Sequence, residues 1–229
     1  MNILALDTCT ESCSAALLYK GQLFEQSVMT QRGHSDLILG MMDILFKQAK
    51  VSIADVDVLA FGRGPGSFTG VRVGVGVAQG IAYARELPVV PVSTLAAVAQ
   101  DVAATSNTPY IAVAIDARMG EIYCASYQLI DGIVHLLDQE RVCPPEEFHP
   151  FSDEHWFGVG TGWSEYKDQL TQNFSEHLAD ISGEHYPQAI NIISVAQHDI
   201  AAGRTVSSEQ ALPVYLRNNV AKKKAEQHA

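Results

Sequence analysis

The chain has 229 residues, of which 47% are hydrophobic and 18% charged, a composition that argues against disorder. The formal charge of −11 is concentrated in residues 105–205, which hold 4 basic and 15 acidic residues, so this segment repels phosphate backbones and is excluded as a nucleic-acid surface. The sequence starts without a basic leader, and no apolar stretch reaches the roughly 20 residues of a membrane helix, so we expect a cytoplasmic protein that contacts no membrane.

The first part of the chain predicts a short buried strand followed by a β-hairpin with its turn at Lys20-Gly21. The same succession returns after residue 110, with a hairpin turn at Asp131-Gly132. The predicted strands are Ile3 to Asp7, Cys13 to Tyr19 and Gln22 to Val28 in the first hairpin unit, and Ile111 to Ile115, Ile122 to Leu129 and Ile133 to Leu137 in the second.

A second repetition supports an internal duplication. The predicted strand Val56 to Phe61 runs into a glycine-rich turn at 62–66, and His155 to Phe157 runs into another at 158–162. Each half therefore predicts three early strands, a return strand and packing helices, which is the layout of two α/β lobes facing a cleft. We predict an N-terminal lobe at 1–104, a C-terminal lobe at 105–205 and a C-terminal segment with a basic tail at 206–229.

Apolar residues at helical spacing predict a helix from His34 to Lys50, for which Ser35 or Asp36 is available as N-cap. A second helix follows the first glycine-rich turn, and the strand Val89 to Val92 comes after it. The second helix and the two later ones cover Gly70 to Glu86, Ala96 to Ala104 and Gln188 to Ala202.

The first glycine-rich turn opens directly into a helix and is the most informative stretch of the sequence. Exposed amides at a helix start attract anions, although the spacing matches neither a Walker loop nor a dinucleotide fingerprint. A tight structural turn with Ser67 or Thr69 as the helix cap is an equally good interpretation. Our candidates for a nucleotide or anion loop are Asp7, Thr8, Arg63, Gly64, Gly66, Ser67 and Thr69.

The helix after this turn contains three interior glycines, each of which costs about 1 kcal/mol relative to alanine. A closely approaching neighbour would compensate for that cost, and it can be internal or belong to another subunit. The methionines of the first helix offer an adaptable apolar surface, so we favour a helix bundle between subunits. The candidates for this interface are Leu37, Met41, Met42, Leu45, Arg72, Gly74, Gly76 and Gly80.

No catalytic motif is present in the sequence. It contains no H-E-x-x-H, no H-x3-H and no G-x-S-x-G, while a Ser/His/Asp arrangement made only in the fold stays open. A zinc site would need a second close pair of cysteines. We therefore predict no catalytic residue and no metal site, and we interpret Cys9, Cys13, Cys124 and Cys143 as buried or incidental thiols.

Four segments of the sequence together resemble the bacterial TsaB (YeaZ) family over essentially the whole chain. The segments are 63–74, Asp7-Thr8, 116–123 and 213–217. The resemblance implies an actin-like ATPase (ASKHA) fold and a part in adding threonylcarbamoyl to the N6 of the adenosine beside the anticodon of certain tRNAs. It further implies a non-catalytic activator that pairs through first-lobe helices with the catalytic paralogue TsaD.

The resemblance also implies that the ATPase TsaE joins this pair, that tRNA is met only through the complex, and that the lone chain forms a homodimer. It implies no tightly bound cofactor in the lone chain, with ATP or ADP held only in the complex. The loop residues Arg63 to Thr69, together with Arg72 and Gly74, match the family signature and would lie beside the nucleotide cleft of the partner.

Asp7 follows the first strand where an actin-like ATPase holds phosphate and magnesium. The glycines of such a loop are absent, and Glu11 would repel phosphates, so we favour a role for Asp7 in tying down its own turn. A small-molecule kinase or ATPase of this fold, and with less support a peptidase, stay as alternatives. Arg118 and Glu121 are interpreted either as functional residues or as an ion pair, and Arg217 with Lys222 to Lys224 either as a solvated end or as an RNA contact.

Overall fold

Two β-sheets form the framework of the protein in the computed structural model, which describes residues 1–217. The first sheet contains β1 (Ile3–Asp7), β2 (Ser12–Tyr19), β3 (Gln22–Met29), β4 (Val58–Gly62) and β5 (Val89–Val92). The second sheet contains β6 (Tyr110–Asp116), β7 (Ile122–Ile130), β8 (Ile133–Leu136), β9 (Arg141–Cys143), β10 (Trp156–Val159) and β11 (Leu178–Ser182).

The strands follow the same order in both sheets. That order is β3-β2-β1-β4-β5 in the first sheet and β8-β7-β6-β10-β11 in the second, where β9 additionally pairs with β7. In each sheet the central strand is antiparallel to the strand that follows it in sequence and parallel to its other neighbour. The predicted duplication is therefore confirmed, and two such sheets constitute the actin-like (ASKHA) α/β fold.

The helices lie in three layers around these sheets. Two cover the outer face of the first sheet, two cover the outer face of the second, and two lie between the sheets. The outer face of the first sheet is covered by α1 (His34–Ala49) and α2 (Phe68–Arg85), and that of the second by α4 (Thr161–Glu165) and α5 (Lys167–Phe174). The layer between the sheets contains α3 (Thr94–Asp101) and α6 (Ala189–Ala201).

This layering explains why β1 is apolar without alternation. Ile3 and Ala5 face the central helix layer, while Leu4 and Leu6 face α1 and α2. Because consecutive side chains point to opposite faces of a strand, a sheet covered on both sides needs apolar residues at every position. By contrast, β3 forms the edge of the first sheet and is largely exposed.

The four predicted helices are confirmed as α1, α2, α3 and α6, with ends that differ by at most three residues. The N-cap prediction for α1 was wrong, because Gly33 occupies that position with φ 85° and no side chain caps the helix. For α2, Ser67 is the cap, and its hydroxyl accepts from the amide of Gly70 at 3.1 Å. Within residues 1–217 no helix is long and apolar enough to cross a membrane.

The second half of the chain has no helix equivalent to α1 between β8 and β10, which correspond to β3 and β4 of the first half. The segment after β8 instead contains β9 and a short 3-10 turn at Pro145–Glu147. Proline lacks an amide hydrogen and disfavours helical geometry at the residue before it, and Pro144, Pro145 and Pro150 all fall in this stretch. The duplication therefore extends to the strands but not to every helix.

The central helices cross between the halves of the chain. The inner face of the second sheet is covered by α3, which comes from the first half, whereas α6, from the second half, packs on strands of the first sheet. The proposed lobe division at residues 104 and 105 stays a prediction. The lysines of the basic tail, Lys222 to Lys224, lie outside the described residues.

Candidate functional site

The glycine-rich turn before α2 is fastened to the loop that follows β1. The amide of Ser67 donates to the carbonyl of Cys9 at 2.7 Å, and the Thr8 hydroxyl donates to the carbonyl of Gly70 at 2.7 Å. A Cβ atom on Gly74 would lie 2.8 Å from Thr8 Oγ1, so glycine permits this close approach. Thr8, Ser67 and Gly74 are thus brought together, and Gly74 packs internally rather than against a partner.

Gly64 has two reasons to be glycine. Its φ of 96° lies in the left-handed region, and a Cβ there would lie 2.8 Å from the carbonyl oxygen of Val214. The loop is therefore covered by the chain's own C-terminal segment at this point. Gly66 lies directly above the backbone of Cys9, while Thr69 is exposed on the first turn of α2.

Arg63 points away from the other loop candidates and reaches the second half of the chain. Its guanidinium donates to Glu140 Oε2 at 2.9 Å, and the Glu140 side chain is only 8% exposed. Tyr127 OH lies 3.4 Å from the other carboxylate oxygen. Arg63 is therefore a structural link between the two halves, and Glu140, its partner, carried no recognisable signal in the sequence.

Asp7 is fully buried at the end of β1. Its Oδ1 accepts from the amide of Cys9 at 2.9 Å, as expected for a residue that ties down its turn, while Oδ2 has no hydrogen-bond partner among residues 1–217. Burial raises the pKa of this carboxyl group from 3.8 to about 7. Near neutral pH the Asp7 carboxyl group is therefore present as a mixture of its neutral and charged forms.

Asp116 occupies the equivalent position at the end of β6. Its Oδ1 accepts from the amide of Arg118 at 2.8 Å, so both central strands end in the same aspartate turn. A cavity of about 340 Å³ lies between these two turns and is lined among others by Thr10, Glu11 and His34. Glu11 and Asp116 line it together with Arg118, whose guanidinium is bonded to both carboxylates, so the cavity offers a triphosphate no excess of positive charge.

The possible ion pair between Arg118 and Glu121 is not formed. Arg118 instead bonds to Asp116 and to Glu11 across the cleft, both at 2.8 Å, and Glu121 accepts from Arg217 at 2.5 Å. The hairpin tip between them has positive φ at Arg118 and Met119, a strained geometry typical of functional sites. The tip exposes Met119 and joins three separate parts of the chain.

The outer surface of α1 and α2 differs from the predicted interface. Met41, Met42 and Leu45 are buried against the first sheet, because the amphipathic pattern of α1 directs them inward. They are therefore corrected from interface candidates to core residues. The exposed positions include Leu37, Arg72, Gly76 and Gly80, together with Leu39, Ile44 and Tyr83, which the sequence reasoning missed.

The glycines of α2 divide between two roles. A Cβ on Gly76 or Gly80 would meet no described atom within 4 Å, so these two glycines leave open space beside Arg72 and Tyr83 on the exposed stripe of the helix. Gly74 faces Thr8 inside the protein. Among the glycines of α2, Gly76 and Gly80 are therefore the ones that leave room for a neighbouring chain.

Residues 211–217 cross the glycine-rich turn as an extended strap. The amide of Val214 donates to the carbonyl of Arg63 at 2.8 Å, and Tyr215 stacks with Phe68, the guanidinium of Arg72 lying 4.8 Å from the Tyr215 ring. The strap continues to Arg217, which bonds to Glu121. Sequence reasoning predicted an extended segment here but not what it covers.

A Ser/His/Asp chain does form in the fold. His185 Nδ1 lies 2.5 Å from Asp101 Oδ2, and its Nε2 lies 2.8 Å from the Ser182 hydroxyl. Asn191 donates to the other oxygen of Asp101 at 2.7 Å. These bonds connect the end of α3 to the segment that leads into α6, so they fix the central helix layer.

Residues 1–217 contain no group of three or more His, Cys, Asp or Glu side chains that could hold a metal ion. The described site is thus a cleft between two aspartate turns, a glycine-rich turn occupied by the chain's own strap, and an exposed apolar helix face. With the duplicated sheets, these features define a two-lobed protein of the actin-like class.

Comparisons with known proteins narrow this class. The family model described as "TsaD: tRNA N6-adenosine threonylcarbamoyltransferase" matches residues 27–225. The TsaB protein of Escherichia coli K12, a tRNA threonylcarbamoyladenosine biosynthesis protein, is 44% identical over 98% of both chains. The Haemophilus influenzae TsaB is 39% identical over 98% of this chain and 97% of its own. The YeaZ structure from Pseudomonas aeruginosa is 41% identical with a TM-score of 0.87, covering 94% of this chain and 99% of that one. The chain belongs to the TsaB (YeaZ) family.

Proposed function

We propose that this chain takes part in the biosynthesis of threonylcarbamoyladenosine in tRNA as a non-catalytic activator subunit. Support comes from its family membership, since the relatives of 44% and 39% identity are named tRNA threonylcarbamoyladenosine biosynthesis proteins, and from the glycine-rich turn. Backbone and side-chain groups of the glycine-rich turn are hydrogen-bonded to Cys9, Val214 and Glu140 of the same chain, so these groups are not free to bind a ligand. Catalysis is accordingly left to another subunit.

The proposed partner is the catalytic paralogue TsaD, and the proposed interface is the outer face of α1 and α2. The observation that carries this proposal is the exposure of Leu39 and Tyr83, at 56% and 73%, beside the open space at Gly76 and Gly80. Large exposed side chains around a backbone that a neighbour can approach closely suit a helix–helix contact.

The similarity between this chain and the TsaD family model supports a pairing of like with like. A homologous subunit has its own counterparts of α1 and α2, so two such helix pairs can meet around a pseudo-two-fold axis. We propose the same geometry for a homodimer when TsaD is absent. TsaE joins the pair in this proposal, and ATP or ADP is held only within the complex.

Transfer RNA is met through the complex rather than by this chain alone. The formal charge of −11 makes direct binding of a phosphate backbone unfavourable. The alternative of a small-molecule kinase would require tight Mg-ATP binding by the lone chain. Isothermal titration of the lone chain with Mg-ATP distinguishes the activator from the kinase, because an activator should show neither tight binding nor turnover.

The interface is tested by Gly76→Leu and Gly80→Leu, introduced separately and together. Both side chains would project into open space, so helix propensity rises and we expect the isolated protein to gain roughly 1 kcal/mol per site. The same side chains would hold the partner helices apart, so we expect co-elution with purified TsaD to be lost and modification of tRNA to fall at least about tenfold.

Gln172→Leu is the matched control, because it places an exposed leucine on α5 at the opposite side of the protein. It should leave both complex formation and modification unchanged. If the double glycine variant still co-elutes with TsaD and supports normal modification, the proposed interface is wrong.

A further inference from the structure

Two of the four cysteines lie next to each other in the outer core of the second sheet. Cys124 is in β7 and Cys143 in β9, and their sulfur atoms are 3.5 Å apart. The pair is diagonal across the strands, since Cys124 lies opposite Arg141 and Cys143 opposite Ile122. A disulfide between them would need the sulfur atoms to approach to about 2 Å.

The two thiols are not equivalent. The hydrogen bond from the Cys124 thiol lowers the pKa of Cys143, and the Arg141 guanidinium acts in the same direction. That hydrogen bond and burial raise the pKa of Cys124. Both residues are buried, Cys143 at 5% exposure and Cys124 at 0%. A cysteine whose pKa is lowered, next to a second thiol, is the arrangement of a reacting and a resolving cysteine.

The strand that carries Cys143 is weakly held. It has three residues and pairs on one side only, with residues 122–124 of β7. Short edge strands open locally at a low free-energy cost compared with central strands. A molecule as small as hydrogen peroxide can therefore reach Cys143 through brief opening of β9, whereas Cys9 and Cys13 lie in the core beneath α1 and α2.

We propose that Cys143 and Cys124 form an oxidation site that closes into an intramolecular disulfide when the protein meets a hydroperoxide. The Cys143 thiolate attacks a peroxide oxygen, the O–O bond breaks and hydroxide leaves, giving a sulfenic acid. The Cys124 sulfur then attacks the Cys143 sulfur, so that an S–S bond forms and the S–O bond breaks. Its proton leaves with the hydroxide, and two thiols and one hydrogen peroxide yield one disulfide and two waters.

The disulfide would attach β9 covalently to the sheet. Glu140, which immediately precedes β9, holds Arg63 of the glycine-rich turn at 2.9 Å. Oxidation therefore fixes the strand next to the residue that anchors this turn. A crosslink of this kind stabilises a protein by restricting its unfolded chain, so the melting temperature of the oxidised protein should rise by roughly 5–10 °C.

The experiment treats the purified full chain with hydrogen peroxide, removes the peroxide, unfolds the chain in denaturant with iodoacetamide to block free thiols, and digests it with trypsin. Cleavage after Arg118, Arg141 and Lys167 places the two cysteines in separate peptides, 119–141 and 142–167. We expect these peptides joined by a disulfide. Cys9 and Cys13 share peptide 1–20 and serve as internal controls. Burial raises their pKa values, that of Cys13 to about 11, which disfavours the reactive thiolate, so both should escape the peroxide and be alkylated once the protein is unfolded.

Cys124→Ser removes the resolving thiol and should leave a sulfenic acid on Cys143 that dimedone traps. Cys143→Ser should lose at least about nine-tenths of the peroxide consumption measured for the natural chain. The wild-type measurement stands without these variants should either fail to fold. The proposal is overturned if the joined peptides are absent, if they appear only between molecules, or if Cys9 and Cys13 oxidise as fast as Cys143.

Discussion

At the scale of single residues, the carboxyl group of Asp7 is shut off from water and lacks a partner for one oxygen among the described residues. Its pKa is raised from 3.8 to about 7 by burial. The unfolded chain releases this proton near pH 4, while the folded chain keeps it until about pH 7. The stability associated with the neutral form is therefore complete below pH 4 and is lost as the pH rises to 7.

Replacement of Asp7 by Asn removes this titration while keeping an oxygen for the Cys9 amide. We expect Asp7→Asn to gain stability relative to the natural chain as the pH rises from 5 to 8, by about 2–3 kcal/mol, because each unit of pKa shift corresponds to about 1.4 kcal/mol. Urea unfolding at both pH values measures the difference. Asp153→Asn, in an exposed loop, should show no such dependence; parallel curves for Asp7→Asn and the natural chain would contradict the argument.

At the scale of secondary-structure elements, two glycines of α2 separate the effects of helix propensity and packing. Gly76→Ala adds a methyl group in open space and should stabilise the protein by about 0.5–1 kcal/mol. Gly74→Ala places Cβ 2.8 Å from Thr8 Oγ1, which is already bonded to Gly70, and should destabilise it by about 1–3 kcal/mol. Chemical denaturation of both variants measures the two free energies of unfolding. A stabilising Gly74→Ala would contradict the close approach of Gly74 to Thr8.

The elements themselves were largely predictable, because strand pairs with a turn such as Asp131-Gly132 and helices with regular apolar spacing carry local signals. β9 was not predicted, since its three residues have too little pattern. The direction of Met41 and Met42 was also missed, because methionine suits both a core and an exposed surface. In the site, Ser67 as a cap was predicted from local sequence, whereas Glu140 and His185 become partners only through contacts across 77 and 84 positions of the chain.

At the scale of the whole molecule, the two halves are joined by ion pairs of unequal burial. Glu140 is 8% exposed and depends on Arg63, so Arg63→Ala leaves a buried charge unpaired and should cost about 2–3 kcal/mol. Arg118 bridges to Glu11 but is 72% exposed, so Arg118→Ala should cost less than about 1 kcal/mol. Thermal unfolding of the two variants at equal ionic strength compares them. Equal losses would mean that the burial of Glu140 does not govern the link.

The crossing of α3 and α6 governs how the protein folds. Each sheet has an inner face of Ile, Val and Ala residues that is covered in part by a helix encoded in the other half of the sequence. During synthesis, the N-terminal half of the chain therefore exposes part of this apolar surface until residues 189–201 have been made. We therefore expect the two halves to unfold together, as one cooperative unit.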